Sequence, residues 1–396
     1  MIRHRAALLC VALYLAAPVG RALPAQALAS SSGSAPSGPK AEKGGKKDTK
    51  DKDKAAPDES STSPRAPSAR ALARTAARAA LFADSTPLAI TLRFDHRALF
   101  RDRDTLTTKW YPARLIVRAA DGTDTPPVRL RPRGHFRLAR ANCDFVPLLI
   151  DFAAKSARGT TFDGQRTLKL VTHCQTDQSS YDELLLREHL VYRVHNLLTP
   201  HSFQSRLVAA EYGDSADAKW HVARRAMLVE HEDLVARRAG GKIVTQRGAV
   251  WENLDSAAVA HYALFQYLIG GTDWSVSALH NVRIALRPDG TYLPLAYDFD
   301  WTGLVDAPYS VPDPRLNLRN TRQRLFRGPC WPPAAYRDAV QHFVAQRDAI
   351  ARLFEHPDLS ESYRRETAKW LAEFYRDVAD DKALERTIKR SCDVGT

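Results

Sequence analysis

The segment 270–304, GGTDWSVSALHNVRIALRPDGTYLPLAYDFDWTGL, constrains the folding of this chain more than any other. Within it, 281–286 and 292–295 alternate apolar with other residues, and Arg287-Pro288-Asp289-Gly290 between them is a turn sequence, so the stretch predicts a β-hairpin. A hairpin returns the chain to its own start, which brings Asp273 and Asn281 at the entrance near Asp298 and Asp300 at the exit. Asp289 is read as a turn former. Just upstream, 255–269 has helical spacing, with Asp255-Ser256 as its cap and Gly270-Gly271 as its stop.

Carboxylate and amide oxygens gathered in this way are the hard ligands that hold Mg²⁺ against phosphates, and Mg²⁺ usually takes only one or two of them from a protein. Transfer of a γ-phosphoryl group needs little more than such a metal and a carboxylate that orients the attacking hydroxyl. Protein kinases present the same order of parts: an Asp, an Asn a few residues later, then a metal-binding Asp followed by Phe. Thr272-Asp273-Trp274 and Asp298-Phe299-Asp300 depart from the kinase spelling, which excludes an ordinary eukaryotic-type kinase as a literal match. Each residue also has a plainer role. Asp273 and Asp298 read alternatively as solvated strand-end carboxylates, Asp300 as a turn cap, His280 as a hydrogen-bonded structural residue, and Trp274 and Trp301 as packing residues.

Taken together, Gly271-Thr272-Asp273, His280-Asn281 and Tyr297-Asp298-Phe299-Asp300 resemble the CotH kinase-like family, the atypical kinases named for a spore-coat kinase. Four upstream features extend the resemblance over 128–304. Arg131-Pro132-Arg133-Gly134-His135 is similar to the family's Arg-Gly turn, and it would place Gly134 over the nucleotide phosphates. Lys169 lies in the strand Thr167-Leu168-Lys169-Leu170-Val171. Glu188 lies in the helix-like 180–198, and Glu230 ends the apolar run 226–231. The resemblance implies an ATP-dependent protein kinase with Mg²⁺ or Mn²⁺. Lys169 would hold the ATP phosphates, Glu188 would pair with Lys169, and Glu230 would mark the adenine edge. Asp273 would orient or deprotonate the acceptor hydroxyl, and Asn281, Asp298 and Asp300 would hold the metal. A Ser or Thr acceptor on a protein follows from the resemblance alone. From the residues themselves, Lys169 also reads as the polar position of a half-buried strand and Glu188 as a solvated helix residue.

Strand-like runs at 88–94, 115–118, 128–130, 145–152 and 168–171 precede the helix 180–198, and two more follow at 203–212 and 226–229. After the hairpin, 333–354, 359–378 and 381–390 read as helices. This order leads to an expected α+β class and an atypical protein-kinase-like bilobal fold. It has a β-rich N-terminal lobe over 71–230 with one key helix, and a mostly helical C-terminal lobe over 231–396, with the site between them.

Arg3, His4 and Arg5 precede the apolar run 6–17, and small residues follow, the three parts of a secretory signal over 1–29. That run is too short for an ordinary spanning helix, and no later stretch is long enough. The stretch 30–70 is Ser-, Lys-, Asp- and Pro-rich low complexity, which predicts a disordered linker. Cys10 falls in the signal, leaving Cys143, Cys174, Cys330 and Cys392, an even count suited to disulfides in an exported chain. Of the three possible pairings, Cys143 with Cys174 and Cys330 with Cys392 are favoured, since the first two bracket neighbouring strands and the second would fasten the last helix. No Cys-x-x-Cys and no ligand-spaced His cluster supports zinc. An exported periplasmic or extracellular protein is expected.

The net charge is +13, of which 1–29 and 30–70 each carry +3, leaving +7 for 71–396. A moderately basic body suits ATP and an acidic partner. No nucleic-acid-binding motif is present. Two other classes of function remain: a nucleotide-binding or scaffold protein without catalysis, and transfer of AMP rather than phosphate at the same residues. A metal-dependent hydrolase is the more distant option.

Overall fold

The computed structural model describes residues 80–119, 122–153 and 156–393. The signal-like segment 1–29 and the polar stretch 30–70 lie outside them.

Strands β1 (Leu88–Phe94), β2 (Tyr111–Ala119), β4 (Pro127–Pro132), β5 (Leu148–Phe152), β6 (Thr167–Val171), β7 (Ser205–Asp214) and β8 (His221–Val229) form one sheet in the order β1-β7-β8-β6-β5-β4-β2. β2 then pairs antiparallel with β1, with Leu92 opposite Leu115, so the seven strands close into a barrel. A short β3 (Gly122–Asp124) hangs on the outside of β2. Closure pairs both edges of each of these seven strands with a neighbour in the barrel. The helix α1 (His96–Arg101) follows β1 and is capped by Asp95, which accepts from the Ala98 N–H at 2.8 Å.

Alternation along the strands sorts the side chains. Ile90, Leu92, Phe94, Leu115, Leu130, Ile150, Leu168, Leu170, Tyr212 and Leu228 are buried together in the barrel interior. On β6, β7 and β8 the intervening residues Val171, Leu207, Met227 and Val229 face outward and belong to a second core. That core is built on the long helix α2 (Ser180–Leu198), whose buried face includes Leu186, Leu190, Val191 and Val194. Asp182 and Glu183 in the first turn of α2 suit the helix dipole.

This second core continues through α4 (Ser256–Ile269), the hairpin strands β10 (Val282–Leu286) and β11 (Tyr292–Ala296), and the C-terminal helices α7 (Glu361–Asp377) and α8 (Asp381–Ser391). α3 (Glu232–Arg238) leads into β9 (Lys242–Val244), which completes a three-stranded sheet β11-β10-β9. The helix expected over 333–354 is interrupted. A 3₁₀ turn at Pro333–Tyr336 is followed by α5 (Arg337–Ala345) and α6 (Arg347–Leu353), which part at Gln346. α4 begins at the expected cap, Asp255 accepting from Ala258 N–H at 2.8 Å. It ends on Gly270, φ 65°, where a Cβ would sit 2.8 Å from the Trp370 ring.

The expected bilobal kinase-like fold is therefore overturned. The strands do not make an open β-rich lobe with a helical lobe beyond a cleft. They close on themselves, and one apolar core runs from Val171 to Ile388 across the boundary expected at 230 and 231. Cys143 with Cys174 and Cys330 with Cys392 lie at disulfide distance, with Cα separations of 4.7 and 5.0 Å. No helix among the described residues is long and apolar enough to cross a membrane.

Candidate functional site

The expected residues meet on the outer wall of the barrel, where β6, α2 and the exit of the hairpin converge. Lys169 sits opposite Val229 on the outward face of β6, its Nζ 4.7 Å from the centre of the Tyr297 ring. Burial, reinforced by the Arg133 guanidinium, lowers its pKa to about 8, against the pull of Glu232 and Asp298. Arg133 comes from the turn that precedes the 3₁₀ segment Phe136–Leu138. Gly134 in that turn has φ 93° and open space where a Cβ would stand, so backbone conformation rather than close packing selects glycine here.

Three carboxylates lie opposite these cations. Glu188 on α2 is 3% exposed, within reach of the charges of Asp298 and Asp300, and its Oε1 has no hydrogen-bond partner among the described residues. Burial and the charges of Asp300 and Asp298 drive its pKa well up, with Arg137 and Arg133 opposing. Asp300 is raised to about 7 by burial and by Asp298, although Tyr309 donates to its Oδ2 at 2.9 Å. The turn is held by the Asp298 N–H, which donates to Tyr192 Oη at 3.0 Å. Asp298 and Asn281 both have left-handed backbones, φ 65° and 51°, a conformation that Asp and Asn tolerate better than other side chains.

Asp273 is the best-organised carboxylate of the group. Asn281 Nδ2 donates to its Oδ2 at 3.0 Å and to its backbone oxygen at 2.7 Å. His280 Nε2 lies 3.0 Å from Oδ1. The Arg327 guanidinium fixes the backbone on either side, donating to the Thr272 and Trp274 carbonyls at 2.7 and 3.0 Å. The void bordered by Asp273, Asn281 and Asp298 is only about 10 Å³. Larger cavities lie elsewhere: about 510 Å³ along the outer face of β1, β7 and β8, and about 430 Å³ beside His195, His261 and His342.

One expected pair is not formed, and a second expected residue is committed to the fold. No ion pair joins Lys169 to Glu188: α2 turns Glu188 toward the carboxylates at 298 and 300, while Lys169 faces Tyr297 and the charge of Glu232. Glu230 is fully buried and structural. Both its oxygens accept from Arg238, at 2.9 and 2.8 Å, and Oε2 also takes the Gln204 N–H at 3.0 Å, so the carboxylate is fully engaged within the fold. Among the described residues no group of three or more His, Cys, Asp or Glu could hold a metal ion.

The sequence reading overlooked Arg133 and Arg137, two guanidinium groups whose charges reach Glu188, although Arg133 lies inside the turn it singled out. It also overlooked Glu232, held by Arg283 Nε at 2.8 Å, and the hydroxyls of Tyr192 and Tyr309. None of these has a local pattern, since each reaches the site through strand pairing or helix packing.

No protein-family model matches this chain, and no curated protein matches it in sequence. The resemblance to CotH kinase-like proteins rests on the short motifs alone.

Proposed function

We propose that this protein is an ATP-dependent phosphotransferase that moves the γ-phosphoryl group to a Ser or Thr hydroxyl of another protein outside the cytoplasm. The observation that carries the reading is the meeting around one turn of two basic side chains, Lys169 and Arg133, with three carboxyl groups, Glu188, Asp298 and Asp300. Phosphates suit the first group and a divalent cation the second. The orphaned Glu188 Oε1 and the raised pKa of Asp300 are what buried carboxyl groups with too few cationic partners display, and a bound divalent cation would relieve both. Mg²⁺ or Mn²⁺ needs only one or two carboxylates from a protein, and Asp298 with Asp300 supply them. When bound, the metal would neutralise charge on the phosphates.

The remaining work belongs to the chain's own residues. Lys169 and Arg133 bind and orient phosphate oxygens. Asp273, fixed by Asn281 and His280, accepts a hydrogen bond from the acceptor hydroxyl and takes its proton at the free lone pairs of its carboxylate. Two cysteine pairs at bonding distance are compatible with an oxidising compartment.

The unformed Lys169–Glu188 pair favours a second reading, a protein that binds nucleotide without turning it over. One experiment separates the two: intact mass of a protein acceptor such as casein after incubation with ATP and Mg²⁺ or Mn²⁺, beside Asp298→Asn, which keeps the left-handed turn. Added phosphate with wild type and none with the variant supports transfer. An added adenylate would move the reading to AMP transfer, and bound ATP with no added mass would leave only nucleotide binding.

A further inference from the structure

The chain between the end of the metal-side turn and α5 is anchored to the proposed site at both ends. Near its start, Tyr309 donates to Asp300, and near its close Arg327 donates to the carbonyls on either side of Asp273. Between these anchors the segment has little regular structure, with one 3₁₀ turn at Pro314–Leu316. Its composition is lopsided: 306–328 contains Arg315, Arg319, Arg322, Arg324 and Arg327 against Asp306 and Asp313.

Three of these arginines serve the fold. Arg322 donates to the Gly303 carbonyl, Arg324 lies 3.7 Å over the Trp370 ring, and Arg327 holds the Asp273 loop. The other two face solvent. Arg315, whose side chain is 89% exposed, pairs among the described residues with Asp313 alone, an exposed pair of the kind that contributes little to stability. The guanidinium of Arg319 has no partner among the described residues, and the residue is exposed. Both positions lie in the span between the Tyr309–Asp300 anchor and Arg327, which holds the backbone on either side of Asp273.

We infer that the segment 306–328 is an acceptor-docking surface that selects acidic peptides, with Arg315 and Arg319 reading carboxylates beside the acceptor hydroxyl as it approaches Asp273. The inference rests on the phosphotransfer reading for its acceptor, but the surface acts by charge and is testable without turnover. Exposed guanidinium groups attract carboxylates through bidentate bonds and screened Coulomb forces, so selectivity of this origin weakens with salt.

The test measures binding of fluorescent Ser-containing peptides to the whole protein by anisotropy, with Asp and Glu or with Lys and Arg around the Ser. The acidic peptide is expected to bind at least about tenfold more tightly at low salt, and the preference is expected to collapse near 0.5 M salt, where screening is within a few ångströms. Arg315→Gln/Arg319→Gln is expected to remove most of the preference. Arg386→Gln/Arg390→Gln, an equal loss of charge on the exposed face of α8, is expected to keep it. Unchanged ATP-dependent thermal shifts in the first variant confirm that it is folded. Equal binding of both peptides, or equal loss in both variants, overturns the proposal. Acidic-peptide binding that depends on Arg315 and Arg319 without any phosphate transfer would sustain this surface and remove the transfer reading. Transfer to acidic and basic peptides alike would do the reverse.

Discussion

His280 Nε2 and Asp273 Oδ1 lie 3.0 Å apart although seven positions separate them in sequence, and Asn281 holds the other oxygen of the same carboxylate. The Asp273 bond raises the His280 pKa against a smaller opposing effect of burial. A histidine whose folded pKa is raised stabilises the fold fully below its ordinary value of 6.5, and that contribution fades as pH climbs through the raised value. The pair therefore predicts that His280→Asn lowers the melting temperature most at pH 5.5 and least at pH 8.5. It further predicts that transfer quickens over the same interval, as loss of the imidazole proton frees Asp273. A melting difference that grows with pH would contradict the assignment. His280 is half exposed, so the effect is small.

The carboxylate cluster makes a prediction of opposite origin. Burial raises both Glu188 and Asp300, with Asp300 and Asp298 adding to it at Glu188 and Asp298 at Asp300, and for Asp300 the window runs from 3.8 to about 7. The folded state binds more protons than the unfolded chain within that window, so these groups withdraw stability as pH rises through it. A divalent cation should restore what is lost. Mn²⁺ is expected to raise the melting temperature at pH 8 by several degrees and at pH 5 hardly at all. Glu188→Gln and Asp300→Asn are expected to be as stable as wild type or more so at pH 8, and to have a reduced Mn²⁺ response. Equal Mn²⁺ shifts at both pH values would place the cation elsewhere.

Lys169 gives the phosphate side its own signature. With a pKa of about 8, it is charged in neutral solution and loses its proton within an accessible range. ATP affinity is expected to fall as pH rises through 8 in wild type and to be lower and flat in Lys169→Met. Removing one such charge-stabilising donor should cost about 10²–10³ in transfer rate. Isothermal titration from pH 7 to 9 reads the first expectation, and a phosphate-incorporation assay reads the second.

What the sequence made legible was local. The hairpin, with its Arg287–Gly290 turn, the helix Ser180–Leu198 and the strand Leu88–Phe94 follow from periodicity and turn residues over a few positions. So does the gathering of Asp273, Asn281, Asp298 and Asp300, because a hairpin must return to its start. Barrel closure was not legible, since it depends on β1 pairing parallel with β7, Leu88 opposite Val208, and antiparallel with β2. Nothing in the alternation of either strand names a partner 120 residues away. The direction of Glu188 was lost for a similar reason: its spacing from Lys169 suits a pair, but the packing of α2 on β7 and β8 decides which way the carboxylate faces.

Glu230 and Arg238 test the boundary between site and scaffold. The carboxylate is fully buried and takes both guanidinium nitrogens and a backbone N–H, so it ties the end of β8 to α3 and to the entry of β7. Removing one partner of a buried, fully bonded pair strands the other, at a cost of about 3–5 kcal/mol for a wholly buried arginine and less for Arg238, which is 29% exposed. Glu230→Ala is accordingly expected to lose about 2–4 kcal/mol in urea unfolding. Arg238→Ala is expected to cost nearly as much, because it leaves the Glu230 charge buried with only the Gln204 N–H. The double variant should lose less than the sum of the two, the mark of a coupled pair. If Glu230 served adenine instead, Glu230→Gln would weaken ATP binding at unchanged stability. The geometry predicts lowered stability, with any residual folded protein binding ATP as wild type does.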